Sequence, residues 1–131
     1  FNSIKSFGDG QVLSVKNMKD DIYSILVNGQ CLNYDKKKDV EVKPCNSSKD
    51  QQFKLNNVTE INQFNEILEK NDQGQVGEFD GISYPFQMLN PIQHQSQCLT
   101  LNGNSVGVKE CMNTNKQRWE GLKNIKICDK L

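Results

Sequence analysis

Two stretches of this chain pass through the same residue types in the same order, and that doubling limits the folds open to it. Cys31-Leu32-Asn33-Tyr34 leads through Val40-Glu41-Val42-Lys43-Pro44-Cys45 to Gln51-Gln52-Phe53. Cys98-Leu99-Thr100-Leu101 leads through Val106-Gly107-Val108-Lys109-Glu110-Cys111 to Gln117-Arg118-Trp119. In both, the second cysteine precedes the glutamine by six residues. A third aromatic closes Tyr84-Pro85-Phe86, so that positions 53, 86 and 119 follow one another at intervals of 33 residues. A period of that length marks a repeat architecture.

Within the repeats, short alternating runs are bounded by Gly, Asn and Asp, and helical periodicity is scarce, which predicts an all-β fold. Strands are expected at 12–15, 23–27, 31–34, 40–43, 52–55, 86–89, 98–101, 106–109, 118–122 and 125–128, with turns at Gly8-Asp9-Gly10, Asn28-Gly29, Asn90-Pro91 and Asn102-Gly103-Asn104. Residues 61–70 also fit helical spacing, through Ile61, Phe64, Ile67 and Leu68. A strand is preferred there, because Ile67-Leu68 stands where Cys-Leu stands in the other copies. The repeats then run over 25–60, 61–91 and 92–124, with 1–24 and 125–131 expected either as terminal strands that close the fold on itself and leave no open sheet edge or as the cut ends of a segment from a tandem array.

A chain of 131 residues fits one domain with a single core. Sixteen basic residues balance sixteen acidic ones, so no net field draws the chain to nucleic acid. Lys36-Lys37-Lys38, between Asp35 and Asp39, reads as a solvated hairpin tip. Alanine is absent and Arg118 is the only arginine, a coding bias that weakens propensity arguments. Five cysteines, four of them in matched pairs, suggest disulfides and an oxidising compartment. No C-x-x-C occurs and His94 is not spaced as a metal partner of any cysteine, so neither a metal nor a cofactor is expected. No apolar run is long enough to span a membrane, and no signal-like segment opens the chain. Asn46 and Asn57 head glycosylation sequons, which arise by chance in an Asn-rich chain. An enzyme is the weakest reading, because His94 sits among glutamines in a surface loop with no nucleophile or paired carboxylate beside it. Cys128 has no counterpart in the repeat and reads first as a buried thiol, then as a remnant of a lost bridge or an interchain link. A reactive nucleophile there is disfavoured, since only Lys126 and Lys130 lie near it.

The doubled motif resembles the ricin B-chain-like lectin family, whose unit runs Cys-Leu-Asp, a hydrophobic hairpin ending in Cys, then Gln-x-Trp. The resemblance covers 25–124 in outline and is specific in the first and third repeats. It implies a β-trefoil of three divergent repeats, with Phe53, Phe86 and Trp119 in a shared core and with Cys31 bonded to Cys45 and Cys98 to Cys111. A competent lobe of that family holds a sugar with an Asp after Cys-Leu, an aromatic platform two residues before the second cysteine, and an Asn just before the glutamine. The first lobe here offers Asn33, Lys43 and Asp50, and the third offers Thr100, Lys109 and Lys116. Both lack the carboxylate in its usual place, and a lysine cannot stack as a flat platform. The middle repeat lacks the cysteines but has Glu69 at the carboxylate position and Phe79, between Gly77 and Gly81, as a candidate platform. The alternative for these two is a solvated carboxylate and a core ring.

The resemblance therefore implies a secreted or surface lectin-like module, monomeric and non-catalytic, that binds a glycan or glycoprotein at degenerate sites. The candidate contacts are Glu69, Phe79, Asn33, Asp50, Gln51, Thr100, Asn102 and Gln117. The turns at 35–39 and 102–104, equivalent in the two preserved lobes, are the expected contact loops. The competing expectation is a protein-contact or structural module of a coat, wall or toxin assembly, with sugar binding lost.

Overall fold

The computed structural model describes residues 2–6, 8, 12–35, 39–58, 86–112 and 114–122. Ten strands follow in chain order: β1 (Asn2–Ser6), β2 (Val12–Lys19), β3 (Ile22–Val27), β4 (Gln30–Asp35), β5 (Asp39–Lys43), β6 (Phe53–Val58), β7 (Phe86–Pro91), β8 (Gln97–Asn102), β9 (Ser105–Glu110) and β10 (Trp119–Glu120). Six of them close a ring. β1 pairs with β2, β2 with β3, β3 with β6, β6 with β7, β7 with β10, and β10 returns to β1, every pair antiparallel. The other four strands form two hairpins, β4–β5 and β8–β9, each placed between two consecutive barrel strands. A six-stranded barrel with hairpins between alternate strands is a β-trefoil, as the resemblance implies, and the closed ring leaves the barrel no free edge.

Alternation along the barrel strands explains the core. Val15 on β2, Tyr23 and Ile25 on β3, Phe53 and Leu55 on β6, Leu89 on β7 and Trp119 on β10 point inward and are buried, together with Ile4 of β1. Their neighbours Ser14, Lys16 and Lys54 face out. These strands thus present an apolar row to a common interior, and β7 is buried along its whole length. Trp119 is fully buried and its indole Nε1 donates to the Leu99 carbonyl at 3.2 Å, so the large ring has its polar atom satisfied. The turn between β3 and β4 places Asn28 at φ 53° and Gly29 at φ 80°, the left-handed pair that a two-residue hairpin needs. Beyond β10, Gly121 has φ 122°, and a Cβ there would lie 2.6 Å from the Ser3 carbonyl oxygen. Only glycine lets the chain pass so close to β1.

The ring divides the chain differently from the 33-residue spacing. Phe53 and Trp119 open β6 and β10, which occupy equivalent places: Phe53 pairs with Tyr23 of β3, and Trp119 with Gln87 of β7. Phe86 instead opens β7, the counterpart of β3, and pairs with Val58. It is buried, but against the Arg118 guanidinium, 5.2 Å from its ring centre, and outside the main apolar cluster. Its equal spacing is therefore a coincidence between inequivalent positions, and the first nineteen residues, expected only as closing strands, supply two of the six barrel strands. The two are joined through 7–11, too short for a hairpin like the other two. Most of the expected middle repeat, including the alternatives for 61–70, lies outside the described residues, as does the strand expected at 125–128. The strand expected at 118–122 is confined to Trp119–Glu120, and β1 was not among the strands that alternation marked individually.

Candidate functional site

Each hairpin lobe is stapled at its base. Cys31 is bonded to Cys45 and Cys98 to Cys111, across separations of 14 and 13 residues, as the family pattern implies. Closing loops of this size stabilises the fold by about 3 kcal/mol each. Two formed disulfides fit an oxidising environment.

Beside each staple sits the glutamine of the motif. Gln51 accepts from the Asn46 amide at 2.9 Å and donates to the Pro44 carbonyl at 3.0 Å. Gln117 accepts from the Met112 amide at 2.6 Å and donates to the Glu110 carbonyl at 2.8 Å and to the Thr100 hydroxyl at 3.0 Å. Thus each glutamine bridges the two peptide groups that flank the second cysteine of its own lobe. Both are buried. A short 3-10 turn precedes each aromatic strand, at Lys49–Gln51 and Asn115–Gln117, and delivers the glutamine inward.

This geometry corrects the expected roles of several residues. Gln51 and Gln117 have no surface to offer a sugar, because desolvated backbone groups already occupy their amides. Asn33 and Thr100, at the family's carboxylate position, are also buried, and Thr100 donates to the Cys98 carbonyl at 2.9 Å. Lys43 and Lys109, where the family has a platform, are exposed, and Lys43 pairs with Glu41 at 3.3 Å. Asn102 is exposed in its turn, and Asp50 is half-buried, accepting from Gln93 Nε2. Glu69 and Phe79 lie outside the described residues, as do Lys36-Lys37-Lys38 and Cys128. The structure therefore brings Gln51 and Gln117 to the hairpin bases, buries Asn33 and Thr100 midway along the hairpins, leaves Asn102 at a tip, and among the described residues assembles no continuous exposed set from them.

His94 lies in the β7–β8 connection, in a loop as expected, and makes a long-range contact there. Its Nδ1 and the Tyr34 hydroxyl share a hydrogen bond of 3.1 Å, which ties the β7–β8 connection to β4. With the Gln93 to Asp50 bond it forms a polar seam between the two lobes. Sequence spacing gave no sign of this contact, because it joins residues 60 positions apart. Among the described residues no cluster of His, Cys, Asp or Glu is placed to hold a metal ion, and no helix is long and apolar enough to cross a membrane.

Two concave regions are lined by described residues. One, of about 700 Å³, lies on the outer face of β2 and β3 against the Cys31–Cys45 staple. The other, of about 370 Å³, runs from β2 and β3 to Val42 of β5 and the tip of the β8–β9 hairpin and contains Val12, Leu26, Val42 and Val106. Val12 and Val42 are 58% and 43% exposed, large values for apolar side chains. Neither region was foreseen from the sequence, because both arise from strands that meet only in the closed ring.

No protein-family model and no curated protein sequence matches the chain. Among solved structures it is similar to one described as "Structure and mode of action of a mosquitocidal holotoxin", at 12% identity and a TM-score of 0.54, over 92% of this chain and 16% of that one. It is also similar to ThreeFoil, a designed 3-fold symmetric protein, at 16% identity and a TM-score of 0.47, over 88% of this chain and 74% of that one. The likeness to the holotoxin concerns the fold alone, and the chain spans a small part of its length.

Proposed function

We propose that this chain is a single secreted or surface-displayed trefoil domain that binds glycans without catalysing their turnover. The observation that carries the reading is the pair of lobes in which disulfide, buried glutamine and aromatic strand opening recur together. That unit is the one the ricin B-chain-like resemblance predicts, and it makes a rigid frame on which exposed turns and grooves can meet a ligand. The usual galactose contacts are replaced, since Asn33 and Thr100 are buried and Lys43 and Lys109 stand in the platform positions. Binding in the manner of an intact family lobe is therefore not part of the proposal. A glycan array probed with the labelled wild-type chain tests it: selective binding to a group of related saccharides is expected, and a blank array would reject it.

A second reading is favoured by one specific feature. Val12 and Val42 expose apolar surface at the end of the barrel where the β1–β2 connection is too short to carry a hairpin, a location suited to contact with another protein. Under this reading the chain is a docking module of a larger assembly. A pulldown run in parallel with the array distinguishes the two, since Val12→Lys would abolish partner capture and leave glycan binding unchanged.

A further inference from the structure

The two seams between consecutive lobes are built on the same plan and end differently. Strand register relates them: because Tyr23 and Gln87 both face the aromatic that opens the closing strand of their lobe, Leu26 on β3 corresponds to Asn90 on β7. Ser14 pairs with Leu26 as Lys54 pairs with Asn90, and Lys16 accordingly corresponds to Asn56. In the β6–β7 seam the space beside the disulfide is closed. Asn90 is fully buried there, its Nδ2 lying 3.1 Å and 3.2 Å from the two sulfurs of Cys98 and Cys111 and donating to the carbonyls of Gln95 and Gln97. Asn56 completes the plug by donating to Asn90 Oδ1 at 2.7 Å.

In the β2–β3 seam neither asparagine is present. Leu26 cannot bridge carbonyls to sulfurs, and Lys16 is exposed where Asn56 is half-buried. The result is the groove of about 700 Å³, with Leu26, Met18 and the Cys31–Cys45 sulfurs as its apolar surface. Around that surface stand short hydroxyl and amide side chains: Ser14, Ser24, Asn28 and Ser47. Among the described residues Lys16 is the one charged residue in the lining, and no described carboxylate lines the groove with it.

We propose that this groove is a binding site for an acidic saccharide, an inference that rests on the glycan reading and locates its site. The volume falls in the range of small-ligand sites. Hydroxyl and amide groups that both donate and accept match the hydroxyls of a sugar ring, whereas the apolar surface covers its C–H face. Lys16 takes the carboxylate or sulfate, a charge-assisted contact that a neutral sugar cannot make. The open end of the groove leaves room for the rest of an oligosaccharide. Sequence comparison with the family could not point here, because the groove lies outside the positions that form a usual lobe site.

The test is calorimetric titration of the wild-type chain with a sialylated trisaccharide, a uronic-acid disaccharide, a sulfated disaccharide and lactose. At least one acidic saccharide should bind about tenfold or more tightly than lactose, and the arms separate carboxylate from sulfate. Lys16→Gln should remove that advantage, Lys16→Arg should retain most of it, and Ser14→Tyr, which fills the groove from an exposed strand position, should abolish binding. Lys109→Gln, on another lobe, should change nothing. Unchanged thermal midpoints for all four variants exclude misfolding. Saccharide binding that Ser14→Tyr and Lys16→Gln leave intact would overturn the groove assignment while the glycan reading stands. If none of the four saccharides binds, the groove proposal is overturned, and a blank glycan array would take the wider reading with it.

Discussion

Gln51 and Gln117 perform one task in two lobes: each side-chain amide spans the carbonyl before and the amide after the second cysteine of its own disulfide. Replacing either by Ala leaves two buried peptide groups without partners and a small void. Gln117→Ala should cost about 2–4 kcal/mol, with Gln51→Ala somewhat less because Gln117 also binds the Thr100 hydroxyl. Chemical denaturation of both variants measures this. Stabilities equal to wild type would mean that the glutamines do not hold the hairpin bases.

Trp119 joins two of the fold's requirements in one residue, filling the barrel and donating to Leu99. Trp119→Ala should destabilise the domain by about 3–5 kcal/mol, a large share of the stability of a domain this size. Trp119→Phe keeps much of the volume and should cost less. A Trp119→Ala variant that melts at the wild-type temperature would contradict the core assignment.

The two staples differ in access. Cys98 and Cys111 are fully buried, whereas Cys45 is exposed on the wall of the groove. Attack by a thiolate needs a path to sulfur, so graded reduction should open Cys31–Cys45 first. Differential alkylation followed by peptide mapping should label Cys31 and Cys45 at thiol concentrations that leave the other pair intact. Simultaneous labelling of all four would show that both lobes open together.

Burial pushes the Tyr23 phenol above its ordinary value of 10.0, with the nearby Asp21 adding to the rise and the Asn17 hydrogen bond opposing it. The folded state therefore keeps the proton that the unfolded chain releases near pH 10. Stability from this group is fully present below that pH and is lost as pH climbs toward the raised folded-state value. The thermal midpoint of the wild type should fall more steeply above pH 10 than that of Tyr23→Phe. Parallel curves for the two would refute the assignment.

Much of the fold was legible because its signals are local. Strand alternation, the Asn28-Gly29 turn and the two cysteine pairs each depend on residues close in sequence, and nine of the ten strands fall where alternation placed them. The lobe count was not legible in the same way. Phe86 imitates the spacing of Phe53 and Trp119, and only the ring pairing separates a strand that opens a lobe from one that closes it. The site suffered likewise. Gln51 and Gln117 carry the family's residue types, but sequence does not say whether a glutamine faces solvent or the peptide groups beside a disulfide. Lys16 and Leu26 gave no signal at all, because their significance lies in differing from Asn56 and Asn90 across a pseudo-symmetric seam.

The most direct measurement is backbone amide mapping by NMR, with isotope-labelled wild-type chain titrated with the acidic saccharide that binds most tightly. The account predicts saturable shifts concentrated at Ser14, Lys16, Ser24, Asn28 and Ser47, with Lys43, Asp50 and Lys109 unmoved. Shifts centred instead on Asp50 and Lys43, or on Lys109 and Lys116, would place the sugar in the family's usual lobe position and contradict it.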